Sequence, residues 1–439
     1  MNPQIKTYDE LLREFNKFLL IEDKNILKVL MGTIIANQMP GDPNWIFIVS
    51  NSSGGKTEFL QSLYDIAIEG KRLITPISDM TVNALASGQK KIGKETSLLH
   101  KVPRGGLLVF KDFTSMLSKN KEAKGEIFKQ LREIYDGSYV KATGTGDNVE
   151  WKGKLGAIAG ATEVIYEHQE EFSAMGDRFL MYSLIQPDRQ KVLEFLISEE
   201  RINADREEER NHLKNCMTDY MNKIFKVMNT EKIELAPDIK KDICAVADFC
   251  TKVRSGVVVD DRKSDRIKFV PSPEMPMRML HQLVQLAKSF AVMKRAEPAG
   301  ELTPKGLLSL DETAVLYKIA FDSIPIKRRL ALKLLTQYSH GATTKALAVA
   351  LNYQSNVVGG WMAQLNGLGI CTRDFKQRGN KGDFWQLKKE YQEIMVKFNH
   401  IEVTNSALET EDEADVSEDD IDEAWNQKEE YDKVDKLEF

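Results

Sequence analysis

Apolar and polar positions along this chain repeat with two periods, and the switches between them mark its elements. Residues 1–40 carry apolar side chains at helical spacing: Leu11, Leu12, Phe15, Phe18 and Leu19, then Ile26, Leu27, Leu30, Ile34 and Ile35. Amphipathic helices are expected there. The turn Met39-Pro40-Gly41-Asp42-Pro43 stops that layer. Three short runs follow that are apolar almost throughout, at residues 45–49, 106–110 and 155–160, and helical patterns separate them. Strands that lack alternation are buried on both faces, so the spacing predicts an α/β fold, a parallel sheet with helices on each side. Ligand chemistry in such a sheet gathers at the carboxyl ends of the strands.

The first run feeds directly into Ser50-Asn51-Ser52-Ser53-Gly54-Gly55-Lys56-Thr57 and then into a helix pattern running through Phe59, Leu60, Leu63, Ile66 and Ala67. A strand, a glycine-bearing loop ending in Lys-Thr, and a helix are the parts of a phosphate loop. Backbone N–H groups around Ser53, Gly54 and Gly55 cradle phosphates, Lys56 reaches the β and γ oxygens, and the Thr57 hydroxyl serves Mg2+. Ser50 stands where the full pattern has glycine. The plainer alternative is a polar turn between a strand and a helix. The second run ends at Lys111-Asp112 and the third at Ala161-Thr162-Glu163. ATP hydrolysis requires a carboxylate at the end of a neighbouring strand to order Mg2+ and the attacking water. Asp112 is that candidate, with Glu163 the nearest source of a second acid; otherwise Lys-Asp merely begins a loop.

Charge divides the chain. Residues 401–439 hold 16 Asp/Glu against 3 Lys, a net −13, while residues 1–400 hold 58 Lys/Arg against 50 Asp/Glu, a net +8. The end reads as a solvated, disordered acidic tail. Its embedded Ile421, Trp425, Leu437 and Phe439 leave open the docking of a protein partner, or competition with nucleic acid for the basic body. Nothing near the start resembles a signal peptide and no run suits a membrane span, so a cytoplasmic protein without a membrane partner is expected. The four cysteines show no C-x-x-C spacing and no histidine is read as pairing with them, so core thiols are expected rather than a disulfide framework or a zinc site.

The stretch from Gly106 to Met116 resembles the second nucleotide motif of minichromosome maintenance helicases and their AAA+ relatives. Residues 131–162 resemble that family's helix, β-hairpin and sensor-1 strand. Residues 176–180 resemble its arginine-finger segment and residues 276–287 its sensor-2 helix. The resemblance covers residues 45–295 and implies an AAA+ ATPase core with a helical lid. It gives Lys56, Asp112, Thr162, Arg178 and Arg278 catalytic roles, and implies ATP and Mg2+ as cofactors and a hexameric homo-oligomeric ring. Two departures bear on hydrolysis: Lys111 stands where the family's magnesium-ordering Asp belongs and Thr162 where its sensor-1 Asn belongs. From the residues alone, Arg178 begins a strand and would project from an edge, either to a neighbouring subunit's phosphate or into a local ion pair with Asp177 or Glu171. Arg278 lies on the exposed side of an apolar helical stripe, as a solvated arginine or a phosphate sensor.

Two regions point to DNA. Alternating runs around Gly144-Thr145-Gly146-Asp147 signal a hairpin carrying Lys141 and Lys152, and in the resembling family such a hairpin enters the ring's pore. Lysines on a hairpin also serve to deter edge pairing. Residues 201–210 read as a solvated helix face. Beyond them, helix patterns at 327–338, 343–351 and 355–368 precede two strand-like runs, which describes a winged helix-turn-helix. Its third helix offers Gln354, Ser355, Asn356 and Gln364 for base contact, and its wing offers Arg373, Lys376, Arg378 and Lys381 for phosphates, unless the module serves protein contact only. The expected divisions are an N-terminal helical segment at 1–40, the nucleotide-binding core at 41–190, a lid and linker region at 191–319, the winged module at 320–392 and the tail at 393–439. The function expected is ATP-driven DNA translocation or unwinding in phage or mobile-element replication. The alternatives are an ATP-switched DNA-binding initiator and the ATPase of an antiviral or signalling complex.

Overall fold

A computed structural model describes residues 4–52, 54–82, 84–85, 98–142, 148–168, 177–228, 233–260, 266–298, 308–374 and 383–406. Five strands form a parallel sheet: β1 (Trp45–Val49), β2 (Ile74–Ile77), β3 (Leu107–Phe110), β4 (Gly156–Ala161) and β5 (Phe179–Ser183). Their order is β2-β3-β4-β1-β5. Every residue of β1, β3 and β4 is buried, as expected of central parallel strands. The pleat sends Ile46 and Ile48 into one apolar layer and Trp45, Phe47 and Val49 into the other. The strand β2 had no apolar run to announce it. Only its two isoleucines are buried, and it holds Pro76, which an edge position tolerates.

On the first face, the helix Ile26–Gln38 is buried on almost its whole circumference, between the sheet and the helix Met277–Ala296. A Cβ at Gly32 would lie 2.6 Å from Phe290 Cε1, so glycine is what lets these two helices approach. The helices Tyr8–Asn16, Arg206–Met228 and Pro237–Arg254 extend the same layer. On the second face, the helix Lys121–Tyr135 covers an aromatic stack in which the Phe47 and Phe179 rings lie 4.1 Å apart. Among the described residues no helix is long and apolar enough to cross a membrane.

The helix Leu310–Asp322 closes the free edge of β5. The Met181 N–H donates to Ser323 Oγ at 3.0 Å and the Ser183 N–H to Asp322 Oδ2 at 2.8 Å. After it come the helices Ile326–Gln337, Thr344–Leu351 and Ser355–Gly367 and a three-stranded antiparallel sheet of Ala342–Thr343, Phe384–Leu387 and Cys371–Asp374, in that spatial order. These elements share one apolar core with the sheet's first face.

Three of the boundaries expected from sequence therefore shift. The break at 190/191 falls inside the helix Arg189–Leu196, and that at 319/320 inside Leu310–Asp322. The break at 392/393 falls inside Lys389–Ser406, which buries Met395 and Phe398, so the residues just after 393 belong to the body rather than to a disordered tail. Residues 407–439 lie outside the described residues. Arg201, expected on a solvated face, is buried between the Phe18 and Phe195 rings and bonds to Glu209.

Candidate functional site

The loop after β1 turns sharply into a helix, with the Gly54 N–H donating back to Asn51 O at 3.3 Å. Gly55 adopts φ +75°, a left-handed conformation that glycine takes without strain, and it caps the helix Lys56–Gln61. A Cβ at Gly54 would lie 2.7 Å from both Gln186 Oε1 and Ser50 Oγ and 3.1 Å from Asn51 O, so a larger residue would have to displace them. Lys56 Nζ turns back over this loop and donates to Ser50 O at 2.9 Å, Ser50 Oγ at 2.8 Å and Asn51 O at 2.7 Å. Ser50, the departure from the glycine of the full pattern, thus holds the lysine through its hydroxyl. Thr57 is exposed in the first turn of the helix. The helix is shorter than the apolar spacing through Ala67 implied: it ends at Gln61, and Ala67–Ile68 pairs with Lys71–Arg72 as a small hairpin. Ser53 lies outside the described residues.

The carboxyl ends of β1, β3 and β4 bring the expected acids to this loop. Burial pulls the Lys56 ammonium down from its ordinary range, and Asp112 and Glu163, near enough to act on it, pull it back up. Asp112 is exposed and accepts from the Thr114 N–H at 2.9 Å. With its amide nitrogen turned towards Glu163, Asn51 reaches both carboxylate oxygens at 3.2 Å. Thr162 N donates to Thr114 Oγ1 at 3.1 Å, and the two hydroxyls lie 3.2 Å apart. Thr114 was not singled out by sequence, since a threonine two residues past an acid carries no signal alone. Lys56, once released from the loop carbonyls, could meet phosphate oxygens, and Thr57 and Asp112 carry the side-chain oxygens that could hold a divalent cation.

Beside Gly54 and Gly55 opens an apolar cavity of about 170 Å³, lined by Phe18, Ile21, Phe59, Leu184, Val192 and Phe195, with Arg206 at its margin. Sequence reading missed it because its walls come from residues 18–23, 184–196 and 206, segments far apart in the chain that read simply as helix and linker.

Arg178 and Arg278 sit elsewhere. Phe179 pairs with Trp45 and Ser183 with Val49, so Arg178 lies at the amino end of the sheet, opposite to Lys56. It does not project from an edge. It is buried and bonds to Asp136 at 2.7 and 2.9 Å, while Asp177 lies by Arg254 at 3.9 Å. Arg278 opens the helix Met277–Ala296, partly exposed, and meets Glu274 at 3.3 Å. Both guanidiniums lie near the Tyr135 ring, at 5.4 and 5.8 Å from its centre. Burial pulls Arg178 below its ordinary range; Asp136 opposes this and Arg278 adds to it. The Tyr135 hydroxyl is buried with no hydrogen-bond partner. Arg278, Tyr135, Asp136, Lys154 and His281 line a cavity of about 550 Å³ here.

The nucleic-acid candidates divide. Ser138–Ala142 and Asn148–Lys152 form the expected antiparallel hairpin, its tip at 143–147 lying outside the described residues. Lys152 pairs with Ser138 at the base and Lys141 with Val149 nearer the tip. Alternation therefore puts the two lysines on opposite faces, and they do not share one contact surface. Gln354, Ser355 and Asn356 are exposed at the start of Ser355–Gly367, but Gln364 turns inward and accepts from Arg328 at 3.1 Å. Arg373 bonds to Asp383 at 2.5 Å and covers the Trp385 ring, a partly structural position. Lys376, Arg378 and Lys381 lie outside the described residues.

Cys216, Cys250 and Cys371 are buried free thiols, as expected, and Cys244 is exposed; what does not hold is that no histidine pairs with a cysteine. His212 and Cys216 lie one turn apart on the helix Arg206–Met228, with His212 Nε2 at 3.4 Å from Cys216 Sγ and 2.9 Å from Glu14 Oε2. The i, i+4 spacing is visible in the sequence but gains meaning only once Glu14 arrives from another helix. The chain matches no protein-family model and no curated protein sequence.

Proposed function

We propose that this protein binds ATP with Mg2+ at the loop after β1, hydrolyses it between subunits of a homo-oligomeric ring, and uses the cycle to move on DNA. The observation that carries the reading is the placement of its charged groups. Lys56, Asp112 and Glu163 converge at the carboxyl end of the sheet, while Arg178 and Arg278 gather at the amino end. The five residues of β1 and β5 separate those ends by about 17 Å, beyond the reach of either arginine to its own loop. In a head-to-tail ring the two ends of neighbouring copies meet; the partly exposed Arg278 would face the next copy's phosphates, and the buried Arg178 would have to leave Asp136 to join it.

Within that reading Ser50 and Lys56 orient the phosphates, and Thr57 and Asp112 would hold the cation. Glu163, steadied by Asn51, positions the attacking water. The cation, when bound, neutralises charge on the phosphates. The apolar cavity beside Gly54 takes the base. The strand order, with β4 between the loop strand and the acid strand, is compatible with the AAA+ core that the motifs resemble. The module from Ile326 has the three helices and small sheet of a winged helix, with the exposed start of Ser355–Gly367 towards DNA.

An ATP-switched initiator is the second reading, favoured by Arg373's pairing with Asp383 and by Gln364 turning inward, which leave fewer side chains free to follow DNA during movement. ATPase turnover measured against protein concentration, with and without single-stranded DNA, tests the proposal. Turnover per chain should rise with assembly and with DNA; turnover independent of both would refute it, and assembly that needs ATP but not hydrolysis would favour the switch.

A further inference from the structure

Glu14, on the helix Tyr8–Asn16, faces one turn of the helix Arg206–Met228. Its Oε2, His212 Nε2 and Cys216 Sγ all lie within 4.8 Å of one another. The imidazole nitrogen is the centre of the group, 2.9 Å from the carboxylate and 3.4 Å from the sulfur. A tetrahedral zinc-class ion with bonds of about 2.0–2.3 Å holds its ligand atoms about 3.3–3.7 Å apart. The nitrogen and sulfur already stand at that separation, the carboxylate oxygen has to retreat from the nitrogen by about half an ångström, and it lies within 4.8 Å of the sulfur.

We propose that Glu14, His212 and Cys216 form a three-ligand site for a cation of the Zn2+ class, leaving a fourth position for water or an incoming ligand. The donor set selects the ion. One imidazole, one thiolate and one carboxylate suit zinc or cobalt, whereas Mg2+ and Ca2+ take oxygen ligands. The charges balance, since a thiolate and a carboxylate neutralise a divalent ion. Binding breaks the Cys216 S–H bond and releases that proton to solvent. His212 takes the tautomer with its proton on Nδ1, so that Nε2 offers its lone pair. Lys17 bonds to the other oxygen of Glu14 at 2.7 Å and so keeps Oε2 turned towards His212, as outer partners of metal ligands do.

Both ligand-bearing helices also brace the phosphate-loop helix. Phe15 stacks on Phe59, and Arg210 bonds to Glu58 at 2.7 and 2.9 Å. A bound ion would lock these two braces together. The site does not depend on the nucleotide reading.

Cobalt titration of the chelator-stripped full chain, without nucleotide, tests the site. One equivalent of Co2+ should produce thiolate-to-cobalt charge transfer together with the visible bands of a four-coordinate ion, and Zn2+ should abolish both. Cys216→Ser and His212→Asn should lose the charge-transfer band, and Cys244→Ser should keep it. Stoichiometric Zn2+ should raise the unfolding temperature of the wild type and not of Cys216→Ser. A wild-type protein that shows no thiolate band overturns the proposal without any variant. A band that survives in Cys216→Ser, or disappears in Cys244→Ser, overturns it as well.

Discussion

If Arg178 serves a neighbour's nucleotide, two inactive variants should restore each other. In Arg178→Ala the loop, Lys56 and Asp112 remain intact, and in Asp112→Asn the arginine remains. Loss of an arginine that neutralises charge in phosphoryl transfer costs on the order of a thousandfold or more in turnover, so each variant alone should be nearly silent. In a head-to-tail ring assembled from equal amounts of both, an interface is whole only where an Arg178→Ala chain supplies the acid and an Asp112→Asn chain supplies the arginine. Random mixing makes about one interface in four whole, so turnover should recover to about a quarter of the wild-type value and vary with the product of the two fractions. The substitution also has a folding cost. The Arg178 side chain is nearly buried but its partner Asp136 is half exposed, which puts the loss between the ~1 kcal/mol of an exposed pair and the ~3 kcal/mol of a buried one. Thermal unfolding of each variant checks that both remain folded, and ATPase assays across mixing ratios supply the result. No recovery at any ratio, from folded and co-assembled chains, would refute action between subunits.

Other expectations follow from single groups. Lys56→Ala should abolish nucleotide binding, whereas Asp112→Asn should bind nucleotide normally and stop hydrolysis; calorimetry and phosphate release separate the two, and full turnover in Asp112→Asn would move the metal-ordering role to Glu163. Arg329 bonds to buried Asp322 at 2.5 Å, and Lys318 reaches the same carboxylate at 2.6 Å. Burial pushes the Asp322 carboxyl up, but Lys318 and Arg329 outweigh it and hold it below its ordinary range. A depressed folded value means that its stabilisation is present above about pH 4 and is lost as pH falls through the folded value. Arg329→Met should therefore cost about 3 kcal/mol in urea unfolding at neutral pH, less what Lys318 retains, and its acid-side loss of stability, which begins near pH 4 in both proteins, should be smaller and complete at a higher pH than in the wild type. Removing residues 407–439 should tighten binding to single-stranded DNA of any sequence, more at low salt than at high; equal affinities at both salts would leave partner docking as the tail's use.

The central strands were legible because burial on both faces leaves an unmistakable record: β1, β3 and β4 are apolar almost throughout, and each ends at a residue with chemistry. The strand β2 was not, because an edge strand with a proline needs only two buried side chains. The cluster of Lys56, Asp112 and Glu163 could be anticipated from strand ends alone, whereas Thr114 and the cavity walls from residues 18–23 and 184–196 depend on contacts between distant segments. Arg178 illustrates the limit of local reading. Its place at a strand start was correct, but its partner Asp136 lies 42 positions earlier, at the end of the helix Lys121–Tyr135. Division boundaries failed for the same reason: composition shifts at 320 and 393, yet the helices there run on because their apolar faces find a core on both sides of the shift.

The closure of both sheet margins limits how copies of this protein can join. On one margin, Ser323 and Asp322 occupy the β5 amides that a foreign strand would seek; on the other, Pro76 removes a donor from β2. Neither margin of this sheet offers a foreign strand a complete ladder, so association along it would use side-chain surfaces that leave its hydrogen bonding whole. Contacts of that kind can form and release without unfolding anything, so if copies assemble as proposed, a few charged groups at the amino end of the sheet would be enough to decide when they hold together and when they let go.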